Sequence, residues 1–227
     1  MKLVAEVNIT ALIKFGGSIT ERGTRKQIKQ LAELLYDLYQ EKGNFVIIPG
    51  GGIFAETIRK IQQDFHFSDE TAHWMAIHAI DQHGLLLKEI IPHSIIENIR
   101  NIKTKIKTNS LKNIPILEVL DFAQNKSKLE HSWKTTSDSL ACEIASYLGI
   151  KKVIFLKDVD GVIKNKQLIS EITCEELKKL AESPLDPLTP DLLLKENITA
   201  FIVNGLNPER IEAILAGKTT ITTEILR

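Results

Sequence analysis

Apolar positions along this 227-residue chain fall into two patterns. The first is a set of short unbroken runs: residues 10–14, then NFVIIP, KKVIFL and TAFIVNG. Runs of that length, closed by glycine, proline or polar residues, read as strands buried on both faces. The second pattern spaces its apolar residues three and four apart. In 24–42, Ile28, Leu31, Leu34, Leu35 and Leu38 recur at helical intervals, and Gly43 stands where a helix-terminal glycine belongs. The same reading predicts helices over about 53–63, 69–90, 138–148 (stopped by Gly149), 174–182 and 190–197. A last helix is expected in PERIEAILAG, with Pro208 early and Gly217 at its end, and TTITTEI closes the chain as a strand. Residues 114–120 read as a strand or a strand-to-helix step. Residues 98–112, NIRNIKTKIKTNSLK, are basic and polar and read as a loop or an edge hairpin.

In chain order the opening is strand, Gly-rich turn, helix, then strand, Gly-rich turn, helix. That order builds a parallel sheet with right-handed crossovers. No repeat, low-complexity tract or linker interrupts it, so 1–227 reads as a single α/β domain. Composition adds exclusions. The 29 basic and 29 acidic residues cancel, so no global field favours nucleic acid or an anionic membrane. No apolar run reaches the ~18 residues of a membrane span. The start, MKLVAEVNITALIKF, is broken by Glu6 and Asn8 and lacks a signal-peptide core. Cys142 and Cys174 lack metal-ligand spacing, which fits a reducing, cytoplasmic setting without a disulfide.

Candidate chemistry sits in the turns. FGGS, PGGG, KDVDG and VNG each follow an expected strand, and parallel strands place all four on one rim, where ligands of open sheets bind. Gly16, Gly17 and Ser18 can offer backbone N–H groups and a hydroxyl to phosphate oxygens; the plain alternative is a tight turn. Lys14 at the mouth of a buried strand argues for an anion. Gly50, Gly51 and Gly52 form a second turn before a helix, with more glycine than a turn needs. Asp138, in TTSDS, reads either as part of a helix-capping cluster or as a carboxylate pointing across the rim at Lys14. Asp158 and Asp160 suit a ribose, a lysine or magnesium, or simply an Asx-type turn. The six histidines form no metal motif, and no G-x-S-x-G or G-x-G-x-x-G fingerprint is present.

Taken in order, IKFGGS, IIPGGGIFA, TTSDSLACEIASYLG, VIFLKDVDGV and VNGLNPERIEAILAGKTT resemble the amino acid kinase family. The resemblance runs from about residue 12 to 220. It implies a three-layer αβα sandwich with a mainly parallel central sheet. An acceptor-binding half (about 1–130) would be followed by an ATP-binding half (about 131–227). It also implies that Lys14 contacts the transferring phosphoryl group and that Asp138 organises the catalytic lysines. Gly16, Gly17 and Ser18 would line nucleotide phosphates, and Gly50, Gly51, Gly52, Thr135 and Thr136 the bound substrate. Lys157, Asp158, Asp160, Gly161 and Val162 would border the nucleotide. A second family lysine lies in a TGGM-x-x-K segment; here Thr189 to Lys195 reads TPDLLLK, with Lys195 in place and the glycines gone. AHWMAIHAIDQHG followed by LEHSWKTTSDS looks most like a compact subgroup found with methanofuran and methanopterin genes. Members of that subgroup are similar to kinases of (aminomethyl)furanylmethyl phosphate.

The expected activity is therefore ATP- and Mg2+-dependent phosphorylation of a small acceptor, a phosphomonoester or a carboxylate. His73, Trp74, His78, Asp81 and Gln82 of helix 69–90 are expected to face that acceptor, with Asp81 suited to an aminomethyl cation. Alternatives are a uridylate-type or other phosphate kinase of the family, or a non-catalytic nucleotide or oxyanion binder on the same scaffold. The resemblance also implies a homo-oligomer.

Overall fold

The computed structural model describes residues 9–42, 45–108 and 110–227. Gly43 and the stretch through Asn8 therefore lie outside the described residues. The first half runs β1 (Ala11–Phe15), α1 (Gly17–Arg22), α2 (Arg25–Lys42), β2 (Phe45–Pro49), α3 (Gly52–Phe65) and α4 (Asp69–Ile90). It continues through β3 (Ser94–Asn98), α5 (Ile99–Lys107), β4 (Ile114–Glu118) and α6 (Leu120–Asn125). The second half holds α7 (Ser137–Leu148), β5 (Lys152–Lys157), β6 (Val162–Lys164), β7 (Gln167–Ile169) and β8 (Glu171–Thr173). It ends with α8 (Cys174–Lys178), α9 (Thr189–Glu196), β9 (Thr199–Asn204), α10 (Glu209–Leu215) and β10 (Thr223–Leu226).

Eight strands form one sheet in the order β3-β4-β2-β1-β5-β9-β10-β8, and β6 and β7 form a separate antiparallel hairpin. Every pairing in the large sheet is parallel except β9 with β10. The central strands are buried on both faces, as the unbroken apolar runs require. Alternation along each strand then sorts side chains between two helical layers. Leu12, Val46, Ile48, Val153 and Phe155 pack under α5, α7, α8 and α9. Ala11, Ile13, Phe15, Phe45, Ile47, Ile154 and Leu156 pack against α2 and α10. The result is a three-layer αβα sandwich. Among the described residues no helix is long and apolar enough to cross a membrane.

The expectation for 98–112 needs correction. Its first part is α5, not a loop or hairpin. Ile99 and Ile102 are buried and Ile106 packs beside them, a helical stripe hidden among lysines and asparagine. Asn98 caps the helix by accepting from the Arg100 N–H at 2.9 Å. Helix 174–182 is also shorter than expected, although Thr173 and Glu176 start it with a reciprocal capping box.

Candidate active site

The same alternation positions the site's charges. Lys14 shares a face with Leu12, and Lys157 shares one with Val153 and Phe155. Both lysines therefore point into the layer that holds α7, from the ends of adjacent strands. Thr136 caps α7 by accepting from the Asp138 N–H at 3.2 Å, which frees the Asp138 carboxylate to reach the sheet. Its Oδ1 lies 2.8 Å from Lys14 Nζ and its Oδ2 2.7 Å from Lys157 Nζ. The two readings of TTSDS are thus both correct, for different residues. At that distance the Lys14 contact is an ion pair within reach of a charge-assisted hydrogen bond. Burial is the largest influence on both partners. It pushes the Asp138 carboxyl up, but the two ammonium groups outweigh it and hold the group at about 2. Burial pushes Lys14 down to about 8, against the pull of Asp138 and with the help of the Lys157 charge.

Two glycine turns close over this charge triangle. The Gly50 N–H donates to the Phe15 carbonyl at 2.7 Å, and the Gly16 N–H to the Leu156 carbonyl at 2.9 Å. Gly17 opens α1 and Gly52 opens α3, where first-turn N–H groups have no intrahelical acceptor. Backbone meets backbone here: a Cβ on Gly17 would collide with Gly52, and Gly52 itself has φ +55°. A side chain at Gly50 would crowd the Lys14 ammonium. Lysine charge and bare N–H groups make an anion seat.

A cleft of about 340 Å3 runs outward from that seat. Lys14, Lys157, Gly16, Gly17, Ser18, Gly51 and Gly52 line its inner end; Thr135 and Thr136 line it near α7. The outer end carries Arg59, Asp69, His73 and Trp133. Arg59 lies 4.5 Å over the Trp133 ring, whose Nε1 donates to Gln62 Oε1 at 2.5 Å. His73 stacks on His131 at 4.2 Å, and His131 Nδ1 donates to Glu70 at 2.5 Å. Burial first, then the neighbouring His131, hold His73 below the ordinary imidazole value.

Other expected residues sit elsewhere. Lys195 is exposed on α9 beside Glu196 at 3.7 Å and does not line the cleft; the second lysine that touches Asp138 is Lys157. The Asp81 carboxylate accepts from the Val119 and Leu120 N–H groups at 2.8 and 3.2 Å, pinning the corner between β4 and α6. Trp74 Nε1 donates to Glu70 at 2.6 Å instead of lining the cleft. Asp158 pairs with Arg22 at the cleft margin; burial pushes its carboxyl up, but Ser18, the backbone and Arg22 bring it below the ordinary value. Asp160 accepts from Asn204 at 3.0 Å and Arg210 at 2.6 Å, tying the KDVDG turn to the end of β9 and to α10. Val162 follows Gly161 and donates its N–H to Thr223 Oγ1 at 2.8 Å, seating the hairpin on β10.

The amino acid kinase family model matches residues 10–204, from β1 through β9. The chain belongs to the amino acid kinase family. Among family members, the "[5-(aminomethyl)furan-3-yl]methyl phosphate kinase" of Methanocaldococcus jannaschii is 33% identical over 95% of this chain and 97% of its own length. A uridylate kinase of Hyperthermus butylicus is 22% identical over 91% of this chain and 94% of its own. The fold matches the uridylate kinase of Archaeoglobus fulgidus at TM-score 0.73, with 17% identity over 95% of this chain and 99% of that one. It matches the UMP kinase of Bacillus anthracis at TM-score 0.75, with 15% identity over 95% of each chain.

Besides Arg59, Asp69 and Glu56 of the outer cleft, two buried polar residues behind the site escaped sequence reasoning. Asp186 accepts from the Thr136 N–H and hydroxyl and from the Ser139 N–H and hydroxyl, at 2.6–3.1 Å. It also accepts from the Leu188 N–H and the Thr189 N–H and hydroxyl, at 2.8–3.2 Å. One buried carboxylate thus joins the starts of α7 and α9. His83 is the other. Its signal was an imidazole inside an apolar helical stripe, with Ile80 three residues before and Leu87 four after.

Proposed function

We propose that this chain, a kinase by family, transfers the γ-phosphoryl group of ATP to a phosphomonoester, forming a diphosphate and ADP. The acceptor we infer is the aminomethylfuran phosphate named for its M. jannaschii relative, which aligns over nearly the full length of both chains. The observation that carries the kinase reading is the Asp138 carboxylate bridging two lysines beneath paired glycine turns. A phosphate oxygen of the acceptor attacks Pγ as the bond from Pγ to the β–γ bridging oxygen breaks. Lys14 and Lys157 face the equatorial oxygens, and Asp138 holds both ammonium groups in place without a proton of its own. The glycine N–H groups orient the phosphates. Alignment of this kind supplies roughly 7–11 kcal/mol where geometry is good. The outer cleft suits an aromatic cation: His73 offers a ring face and Asp69 negative charge, while Arg59 already covers one Trp133 face and pairs with Glu56.

Among the described residues no group of three or more His, Cys, Asp or Glu side chains forms a metal cage. Magnesium would be held here chiefly by the nucleotide phosphates rather than by a protein cage, and would supply charge neutralisation. Its use, a cytoplasmic setting and a homo-oligomer belong to the same proposal. Incubation with ATP, Mg2+ and the aminomethylfuran phosphate, with UMP as a second arm, tests the reading by ADP release and product mass. The diphosphate of the furan is expected. Turnover with UMP alone would replace the acceptor, and ATP binding without ADP from either arm would refute the kinase.

A further inference from the structure

His83 stands outside the lysine–aspartate triangle, yet it is 1% exposed and both its ring nitrogens are engaged. Nδ1 lies 2.6 Å from the Gly50 carbonyl oxygen. A carbonyl only accepts, so Nδ1 carries a hydrogen. Nε2 lies 3.0 Å from Thr20 Oγ1, which lies 2.9 Å from the Gly17 carbonyl oxygen. Polar contacts therefore run from the second glycine turn through the imidazole to Thr20 of α1, the helix that Gly17 opens. The Phe15 ring meets the imidazole edge-on with centroids 6.2 Å apart, which limits its tilt.

The turns need such a brace. Gly17 and Gly52 approach each other as bare backbone, with no side chains of their own to set the gap. We propose that His83 is a positioning residue: through Thr20 it fixes the spacing of the two glycine turns and so the aim of their N–H groups at a polyphosphate. The proposal rests on the kinase reading only in taking the turns as a phosphate seat. Burial chiefly, and the Lys14 charge, hold His83 below the ordinary imidazole value. A hydroxyl carries one hydrogen: with Nδ1–H on Gly50, the neutral ring takes the Thr20 hydrogen at Nε2, which ties the imidazole to α1, and the Thr20 contact with the Gly17 carbonyl is not a hydrogen bond at the same time.

Calorimetric titration with ATP and Mg2+ tests this on the parent, Thr20→Val, His83→Asn, His83→Leu and Thr20→Val/His83→Leu. Thr20→Val removes the hydroxyl at nearly constant shape. His83→Asn keeps a donor for Gly50 and loses the reach to Thr20. Affinity is expected to fall about fivefold in each of these two, the order of one hydrogen bond lost, and about thirtyfold in His83→Leu, which also leaves the Gly50 carbonyl without its donor. The double variant should be no weaker than His83→Leu, because both changes break one line of contacts. Nitrogen-15 shifts should show the Nδ1–H tautomer in the parent. Parent-like affinity in Thr20→Val and His83→Asn, multiplied losses in the double variant, or an Nε2–H tautomer would overturn the proposal. Should His83→Leu not fold, Thr20→Val/His83→Asn is judged by the same rule. A parent that does not bind ATP sinks the kinase reading, whereas variants that bind like a competent parent sink this inference alone.

Discussion

Lys14 and Asp138 feel the same burial with opposite results, because Asp138 has two cations and Lys14 shares one anion. Asp138 titrates at about 2, below its ordinary 3.8, so it adds stability that is present above pH 4 and lost as pH falls toward 2. Lys14 titrates at about 8 rather than 10.5; its buried charge opposes folding at neutral pH, and that opposition is relieved as pH rises from 8 to 10.5. Activity runs the other way, since a neutral Lys14 cannot offset phosphoryl charge. The kcat/KM profile should therefore fall on an alkaline limb near pH 8. Lys14→Arg should lose that limb at whatever rate it retains, because guanidinium stays charged. A limb unchanged in Lys14→Arg would assign it to another group. Geometry also ranks the lysines. Lys157→Met and Asp138→Asn should each lower kcat about 10²–10³-fold, the usual loss for one transition-state donor, while Lys195→Met stays within about twofold. Comparable losses at Lys157 and Lys195 would contradict the triangle.

Elements explain why those residues meet. Asp186 lies between the N-termini of α7 and α9, where helix dipoles favour an anion and seven hydrogen-bond donors converge on it. Asp186→Ala should destabilise by roughly 3–5 kcal/mol, because buried donors at both helix starts lose their acceptor. Chemical denaturation would measure it, and a loss under about 1 kcal/mol would show that water replaces the carboxylate. Much of this scale was legible in advance. NFVIIP and KKVIFL announced buried strands, and Gly149 stopped α7 in a left-handed conformation as expected. What stayed illegible was long-range or weakly patterned. KDVDG read as a turn, so Lys157 was grouped with the turn although it continues the 153, 155, 157 alternation of β5. Whether Asp138 reached Lys14 depended on how α7 packs over β1. The stripe of α5 was diluted by charge. The TGGM comparison pointed to Lys195, but α9 buries Thr189, Leu192 and Leu193, and Lys195 stands off that face toward solvent.

At the scale of the molecule, the strand order reverses direction between β1 and β5, and the triangle straddles that seam. Crossovers leave to opposite sides there and open a crevice beyond the strand ends, as in other doubly wound sheets. Lys14 comes from one half and Lys157 and Asp138 from the other, so the site is intact only while β1 and β5 stay paired. The chain holds two tryptophans, Trp74 and Trp133. Trp133 lines the outer cleft, and Trp74 stands just behind it, edge-on against the His131 ring that stacks on His73. Their fluorescence reports the outer end of the site, whereas far-ultraviolet dichroism reports helices throughout. If the seam couples the halves, both probes should follow one denaturation curve. ATP at about 100 times its dissociation constant should then stabilise both by about 2.7 kcal/mol, because only the paired halves bind it. A fluorescence transition that precedes the dichroism, or one that ATP leaves in place while the other moves, would mean that the outer end of the site opens apart from the rest of the fold and that the seam is not what holds the site together.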